Sequence, residues 1–510
     1  MKIFLPFIFF VFSLCLTSNA QSPIPSFIAD SLDNYINTGL SDWHIPGLAI
    51  AIIKDGKAIV MKGYGVADLT TRQPVDENTL FQIASNSKLF TGTAIAQLDY
   101  NKKLSIDDKV SKYIKDFRLY DKNSTDLVTI RDLLSHRIGT KTFQADFVFW
   151  NSHLSRSSIL DRMKLMKPVG LFRQNYGYCN SCFMAAGEVI PIVTGKPWEV
   201  YVYDSLLAPL QMTNTYTLSQ GLSERVNVAK PYTNSYTGQL TELPYDDVNN
   251  IGAAASIVSN VKDLSIWLQM QLDSGRFNGK QIIPWEALQK TRIINTITRS
   301  SQHPYLPTHI QGYGLGIVTG DYNGRQIYFH TGGADGFVTN TCFVPEENLA
   351  ITILTNNDNQ RFFEALRYQI LDAYLGTGYK NYSKNFLPAY EKEMEQSVKK
   401  TKTLQTRVTG HVPQLPMEAY TGIYENEIYG PIEIEGSKDG KGLQINFSGH
   451  NNLSANVQYM DHDEWLLTYN NLSYGIFPIK FKIEDKKVLS TDLRVNEFID
   501  YDSYTFLKKR

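Results

Sequence analysis

Ser85 and Lys88 stand three residues apart in the run Phe81-Gln-Ile-Ala-Ser-Asn-Ser-Lys-Leu-Phe-Thr91. A serine hydroxyl is a poor nucleophile until a base takes its proton. Residues i and i+3 share one face of a helical turn, so a helix opening at Ser85 sets Lys88 beside it. Leu89 through Leu98 are nearly all apolar or small, the pattern of a helix buried all round. Burial favours the neutral amine, which can act as a base. The helix N-terminus also favours negative charge developing at Ser85. Ser259–Lys262 and Ser397–Lys400 share the spacing but read as surface helix positions, and a serine at a helix start is often a cap. The chemistry therefore needs partners from elsewhere in the chain.

Two short motifs offer them. Tyr178-Cys-Asn180 precedes an apolar helical segment. A tyrosine hydroxyl near a lysine can have its pKa lowered and serve as base, then as acid toward a leaving group. Asn180 can offer its amide to a substrate carbonyl. The same Y-x-N pattern recurs at Tyr35–Asn37, Tyr232–Asn234, Tyr424–Asn426 and Tyr469–Asn471. The second motif, Tyr328-Phe-His-Thr-Gly-Gly333, closes a strand. Paired glycines there either make a turn or let a ligand reach the backbone. Backbone N–H groups at that point and at Ser85 could form an oxyanion hole.

The elements that must position these groups follow from periodicity. Gly47–Ile53 and Lys57–Met61 flank Asp55-Gly56, the signature of a tight hairpin. Helical patterns cover 88–100, 129–136, 157–165, 181–194 and 261–273, and strands return near 313–318, 324–330, 336–343 and 349–355 before a helix at 361–376. Strands at both ends with helices between imply one antiparallel sheet assembled from the termini and flanked by helices, with an all-α region beside it. Residues 380–415 are polar and read as a helix and a proline-punctuated linker. From 416 to 510 short runs alternate apolar and polar between turn residues, which implies a small all-β barrel or sandwich.

The chain has 510 residues, too many for one ordinary core. With 50 basic and 51 acidic residues, no overall charge points to nucleic acid. Met1-Lys2, the apolar stretch Ile3–Leu16 and Ser18-Asn-Ala20 resemble a cleaved signal peptide, too short to span a bilayer comfortably. Leu14 before Cys15 departs from a lipoprotein signal. The expectation is an exported protein, periplasmic or extracellular, with no transmembrane segment after cleavage. Cys179, Cys182 and Cys342 remain, an odd number that does not describe a disulfide scaffold. Cys179–Cys182 lacks the second pair or clustered histidines that zinc needs, so these read as small buried residues. There is no G-x-S-x-G elbow, no phosphate loop and no zinc histidine pair; no cofactor is implied.

S-x-x-K, then Y-x-N, then a basic residue followed by Thr-Gly is the motif order of the penicillin-recognising serine hydrolases, and over about residues 30–380 the chain resembles their class C β-lactamase branch. Lys103-Leu-Ser-Ile-Asp-Asp108, Thr129-Ile-Arg-Asp-Leu-Leu-Ser-His136, Gly312-Tyr-Gly-Leu-Gly316 and His330-Thr-Gly-Gly-Ala-Asp-Gly-Phe337 add to the likeness. Leu415-Pro-Met-Glu-Ala-Tyr-Thr-Gly-Ile-Tyr-Glu425 resembles the start of an appended lipocalin-like domain.

Beside the expected signal peptide over 1–20 and the polar helix and linker over 380–415, the resemblance implies a β-lactamase-like α/β (α+β) domain over 21–379 and a lipocalin-like domain over 416–510. It implies Ser85 as acyl-enzyme nucleophile, Lys88 and Tyr178 as the base pair, and Asn180 as a substrate-orienting group. Ser85 and Gly333 would supply the oxyanion hole, and His330, Thr331 and Gly332 would line the substrate strand. Classical β-lactamases carry lysine where this chain has His330, and an unperturbed histidine is mostly neutral at pH 7. The expected activity is hydrolysis of an amide or ester in a small-molecule or peptide substrate, with peptides and D-amino-acid compounds favoured. A carboxylesterase or weak β-lactamase is the alternative within the class. A non-catalytic penicillin-binding, sensory or scaffold protein is the alternative outside it, as is a binding role seated in the β-rich tail.

Overall fold

The computed structural model describes residues 23–509. The expected signal segment lies outside the described residues. An eight-stranded antiparallel sheet forms the centre of the larger part. Its order from one edge is Lys57–Gly65, Gly47–Lys54, Leu349–Thr355, Phe337–Val344, Arg325–Ala334, Val318–Tyr322, Ile310–Tyr313 and Thr296–Ser300. The N-terminal hairpin thus joins strands from residues 296–355, as termini-built assembly predicts. Asp55 (φ 52°) and Gly56 (φ 74°) make the hairpin's tight turn. The sheet's inner strands are buried on both faces, and Leu349–Thr355 and Phe337–Val344 are buried at every position. One face is covered by Leu32–Asp42 and Phe362–Leu375 through Trp43, Ile50, Ile353 and Phe362. The other faces the helical region that contains Ser87–Tyr100.

Two details differ from the sequence reading. The apolar run 313–318 is not one strand but the turn between Ile310–Tyr313 and Val318–Tyr322. Gly316 makes that turn at φ 86°, and a Cβ there would stand 2.2 Å from the Lys88 carbonyl. The turn therefore packs flat on the first coil of the nucleophile helix. The short edge strand Thr296–Ser300 was not anticipated, because Thr-Ile-Thr-Arg-Ser offers one apolar residue and no alternation.

Eight strands between Gly422 and Lys508 close into an antiparallel barrel, sealed by pairing Tyr424 with Lys508 and Glu425 with Leu507. The helix Tyr382–Thr406 runs between the two parts. Tyr390 stacks near Trp43 of the sheet domain, and Leu404 packs with Met460, Leu466 and Ile476 of the barrel. The barrel is seated directly on the helical region. Phe147, fully buried, enters its mouth and packs on Tyr429, Phe447, His450, Tyr474 and Tyr504. His450 Nε2 donates to the Phe147 carbonyl at 2.8 Å, and Arg162 Nη1 donates to the carbonyls of Ile428 and Tyr429.

Candidate active site

Ser85 sits in a tight turn, Ala84–Asn86, that runs straight into the helix Ser87–Tyr100. Ala84 holds a positive φ of 45°, a conformation that costs a non-glycine residue energy and tends to persist where the surroundings over-determine it. Those surroundings are visible. The Ile83 carbonyl accepts from Thr339 Oγ1 at 3.0 Å, and Asn86 Nδ2 donates to the same hydroxyl at 2.9 Å. Gly332 lets the strand approach this turn, since a Cβ there would lie 2.1 Å from the Ile83 carbonyl. Gly332 therefore serves the nucleophile turn and does not line the cavity, unlike Thr331 and Gly333.

Lys88 is fully buried. Its Nζ lies 3.0 Å from Ser85 Oγ, 2.6 Å from Asn180 Oδ1 and 2.9 Å from the Ala254 carbonyl. Burial lowers its pKa to about 7, against the weaker opposing field of Asp146. The three contacts fit a neutral amine. Asn180 Oδ1 and the Ala254 carbonyl can only accept, so they take two N–H bonds and leave the lone pair facing the serine hydroxyl. The orientation of Asn180 is fixed in turn by Asp146, whose Oδ2 accepts from Asn180 Nδ2 at 2.6 Å. Asn180 thus spends its carbonyl on Lys88 and one N–H on Asp146.

Tyr178 hydrogen-bonds Ser85, and burial pushes its hydroxyl well above the ordinary tyrosine value. Burial outweighs the lowering that a lysine neighbour could cause. Lys88 Nζ lies over the Tyr178 ring at 4.7 Å from the centroid. His136 packs against that ring with centroids 4.2 Å apart, and its Nδ1 accepts the Cys179 backbone N–H at 3.0 Å. Cys179 and Cys182 are free and buried, as their small size suggests.

His330 is buried and hydrogen-bonded at both ring nitrogens. Nδ1 is 2.8 Å from the Thr331 carbonyl, which only accepts, so Nδ1 carries the proton and Nε2 accepts from the Tyr313 hydroxyl at 2.7 Å. Burial, then the nearby Lys88, lower its pKa to about 3. No positive charge stands where a β-lactamase lysine would.

Ser85, Asp146, Tyr178, Asn180, Tyr313, His330, Thr331 and Gly333 border a cavity of about 650 Å³. Its wall also contains Phe498, Ile499 and Tyr501 from the barrel. The Phe498 ring lies against Gly333, where a Cβ would meet its Cζ at 2.7 Å. Tyr501 stacks on Phe143, which meets Tyr178 edge-on at 5.6 Å. Lys141 Nζ donates to the Tyr501 carbonyl at 2.9 Å, and Asp500 Oδ2 accepts from the Phe147 N–H at 3.1 Å. Asp146, the Ala254 carbonyl and the barrel residues escaped the sequence reading, which placed Tyr313 in a family-like segment without a role. Among the described residues no cluster of three or more His, Cys, Asp or Glu is disposed to hold a metal.

A nucleophile turn, a buried lysine and a substrate-sized cavity on an antiparallel sheet define a serine hydrolase of the β-lactamase and transpeptidase fold, and the chain belongs to that family. The family model described as Beta-lactamase matches residues 32–375. An unguisins hydrolase of Aspergillus campestris is 28% identical over 414 residues, covering 78% of this chain and 75% of that protein. Protein flp of Staphylococcus aureus (strain MW2) is 26% identical over 373 residues, covering 70% of this chain and 68% of its own length. An octameric penicillin-binding protein homologue from Pyrococcus abyssi shares the fold with a TM-score of 0.60 at 22% identity, covering 94% of this chain and 99% of its own.

Proposed function

We propose that the chain is an exported serine hydrolase of the class C type that cleaves an amide or ester through an acyl-enzyme at Ser85. Peptides or D-amino-acid compounds are its favoured substrates. The observation that carries this reading is the buried Lys88 amine, 3.0 Å from Ser85 Oγ, with acceptors for two N–H bonds elsewhere and a pKa lowered to about 7, so that its neutral form is accessible near neutral pH. Lys88 takes the serine proton as Oγ attacks the carbonyl carbon. Backbone N–H groups of Ser85 and Gly333 stabilise the oxyanion. Tyr178, protonated in the resting state, gives its proton to the leaving group, and the Lys88 ammonium restores it. Water then repeats the sequence on the acyl-enzyme. Thr331 holds substrate along the strand edge. The neutral His330 supplies no charge for a β-lactam carboxylate, which favours a peptidase or esterase over an efficient β-lactamase.

Intact-mass spectrometry after exposure to a fluorophosphonate and, separately, to a penicillin tests this reading. A fluorophosphonate adduct with no lasting penicillin adduct is expected. A persistent penicillin adduct would move the reading to a penicillin-binding protein, and no adduct at all would favour a non-catalytic role.

The barrel acts here as a wall of the site and a filter on the acyl group. Phe498→Ala should raise kcat/KM for bulky acyl esters about tenfold or more relative to acetyl esters, the range a hydrophobic wall can discriminate. An unchanged ratio in steady-state assays would remove the filter from the proposal.

A further inference from the structure

Asp146, whose carboxyl accepts from Asn180 beside Lys88, belongs to a piece of chain with little local structure to hold it. It opens a helix of only four residues, Asp146–Phe149, too short to be stable by itself. Ala145 before it sits at φ 65° and offers no side-chain cap to the first-turn N–H groups. The barrel supplies the missing partners. Asp500 Oδ2 accepts the Phe147 N–H at 3.1 Å, and His450 Nε2 donates to the Phe147 carbonyl at 2.8 Å. Both main-chain groups of the residue next to Asp146 thus end on barrel side chains.

Those side chains are themselves fixed. The Tyr504 hydroxyl donates to Asp500 Oδ2 at 2.6 Å, and the Asp502 N–H donates to Oδ1 at 2.8 Å. His450 Nδ1 accepts from the Tyr429 hydroxyl at 2.7 Å, which keeps the ring proton on Nε2. Asp500 and His450 are buried, and neither borders the cavity. From Phe147 the series continues through Asp146 Oδ2 to Asn180 Nδ2 at 2.6 Å, then Asn180 Oδ1 to Lys88 Nζ at 2.6 Å, then Lys88 to Ser85 Oγ at 3.0 Å. A side-chain amide has unlike ends. Were Asp146 to withdraw, the Asn180 amide could turn over and set its N–H against Lys88. The lone pair that must take the serine proton would then be occupied.

We propose that Asp500 and His450 are positioning residues of the hydrolase: by holding the Phe147 main chain, the barrel keeps the Asn180 carbonyl on Lys88 and the Lys88 lone pair on Ser85. The inference rests on the acyl-enzyme reading and gives the barrel a part in the chemistry besides its wall of the cavity. Asp500 shares a loop with Phe498 and Tyr501, whereas His450 comes from a different turn of the barrel. A common effect of the two therefore cannot come from a shifted cavity wall.

The test is the second-order rate of fluorophosphonate labelling of Ser85 between pH 5 and 9, in folded full-length protein. The plateau should fall about tenfold or more in His450→Ala and in Asp500→Ala, as misplaced reacting groups require. The pH of half-plateau should move down in both, because an Asn180 that no longer accepts from Lys88 ceases to favour the ammonium. The other groups facing Lys88, namely Cys179, His136, His330 and Tyr178, are unaltered in these variants. His450→Gln keeps a donor and Asp500→Asn an acceptor, so each should recover most of the rate. Leu404→Ala, which loosens the barrel at a contact that does not involve Phe147, should label at the wild-type rate. If the alanine variants do not fold, Tyr429→Phe decides: it frees the His450 proton to move to Nδ1 and should show both changes in smaller degree. Unchanged rates, a loss confined to Asp500→Ala, a loss that glutamine and asparagine do not recover, or an equal loss in Leu404→Ala would overturn the proposal. Failure to label the wild-type protein would instead overturn the acyl-enzyme reading, and this inference with it.

Discussion

Ser85→Ala should lower hydrolysis of any activated ester by about 10⁴-fold or more and abolish fluorophosphonate labelling, because removing a nucleophile leaves only what binding and oxyanion stabilisation provide. The alanine variant should fold normally. Ser85 contributes one hydroxyl to the cavity floor, and the turn that carries it is held by Ile83, Asn86 and Thr339 rather than by Ser85 itself. Circular dichroism together with steady-state hydrolysis checks both halves. Folded protein that keeps more than a few per cent of its activity would place the nucleophile elsewhere.

The second large effect concerns Lys88. Its amine must be neutral to take a proton, and its pKa is about 7. The second-order rate of fluorophosphonate labelling, which involves no titrating substrate, should fall about tenfold per pH unit below that value. It should level off above it. His330, at about 3, and Tyr178, raised well above 10, do not titrate between pH 5 and 9. Were a Tyr178 phenolate the base, the rate would keep climbing beyond pH 9. The profile thus separates two bases that geometry alone leaves side by side. Lys88→Arg keeps a permanent charge and should cost about 10³-fold at every pH, in line with loss of a general base. The same burial has a price in stability. The unfolded chain binds a proton at Lys88 that the folded chain lacks between about pH 7 and 10, so the penalty shrinks as pH rises through that window.

Much of the site was legible because its information is local. Ser85 and Lys88 declare each other through one helical turn, and the nearly all apolar or small residues after them declare the burial that lowers the lysine pKa. Tyr178, Asn180 and the strand ending at Gly333 are common patterns singly; their order along the chain carries the reading. The remaining residues have no such signature. Asp146 opens a one-turn helix, Asp146–Phe149, entered through a turn where Phe143 and Ala145 both adopt positive φ, a conformation no composition announces. Phe498 reaches the cavity from a loop more than four hundred residues beyond Ser85 in sequence. Gly332 reads as open strand for a ligand, yet its missing side chain accommodates the Ile83 carbonyl. Such contacts arise from tertiary packing and leave no periodicity in the chain.

Phe147 and Asp146 are neighbours in sequence but belong to different interiors. The ring of one fills the barrel's mouth, and the carboxyl of the other orients the asparagine beside the catalytic lysine. The barrel thus holds a piece of its own chain where a free barrel could hold a guest. A guest entering that mouth would have to expel Phe147, at a cost of about 3–5 kcal/mol if its burial were lost, and would drag Asp146 with it. Filling of the barrel's mouth and orientation of the catalytic asparagine thus depend on two adjacent residues of one short helix.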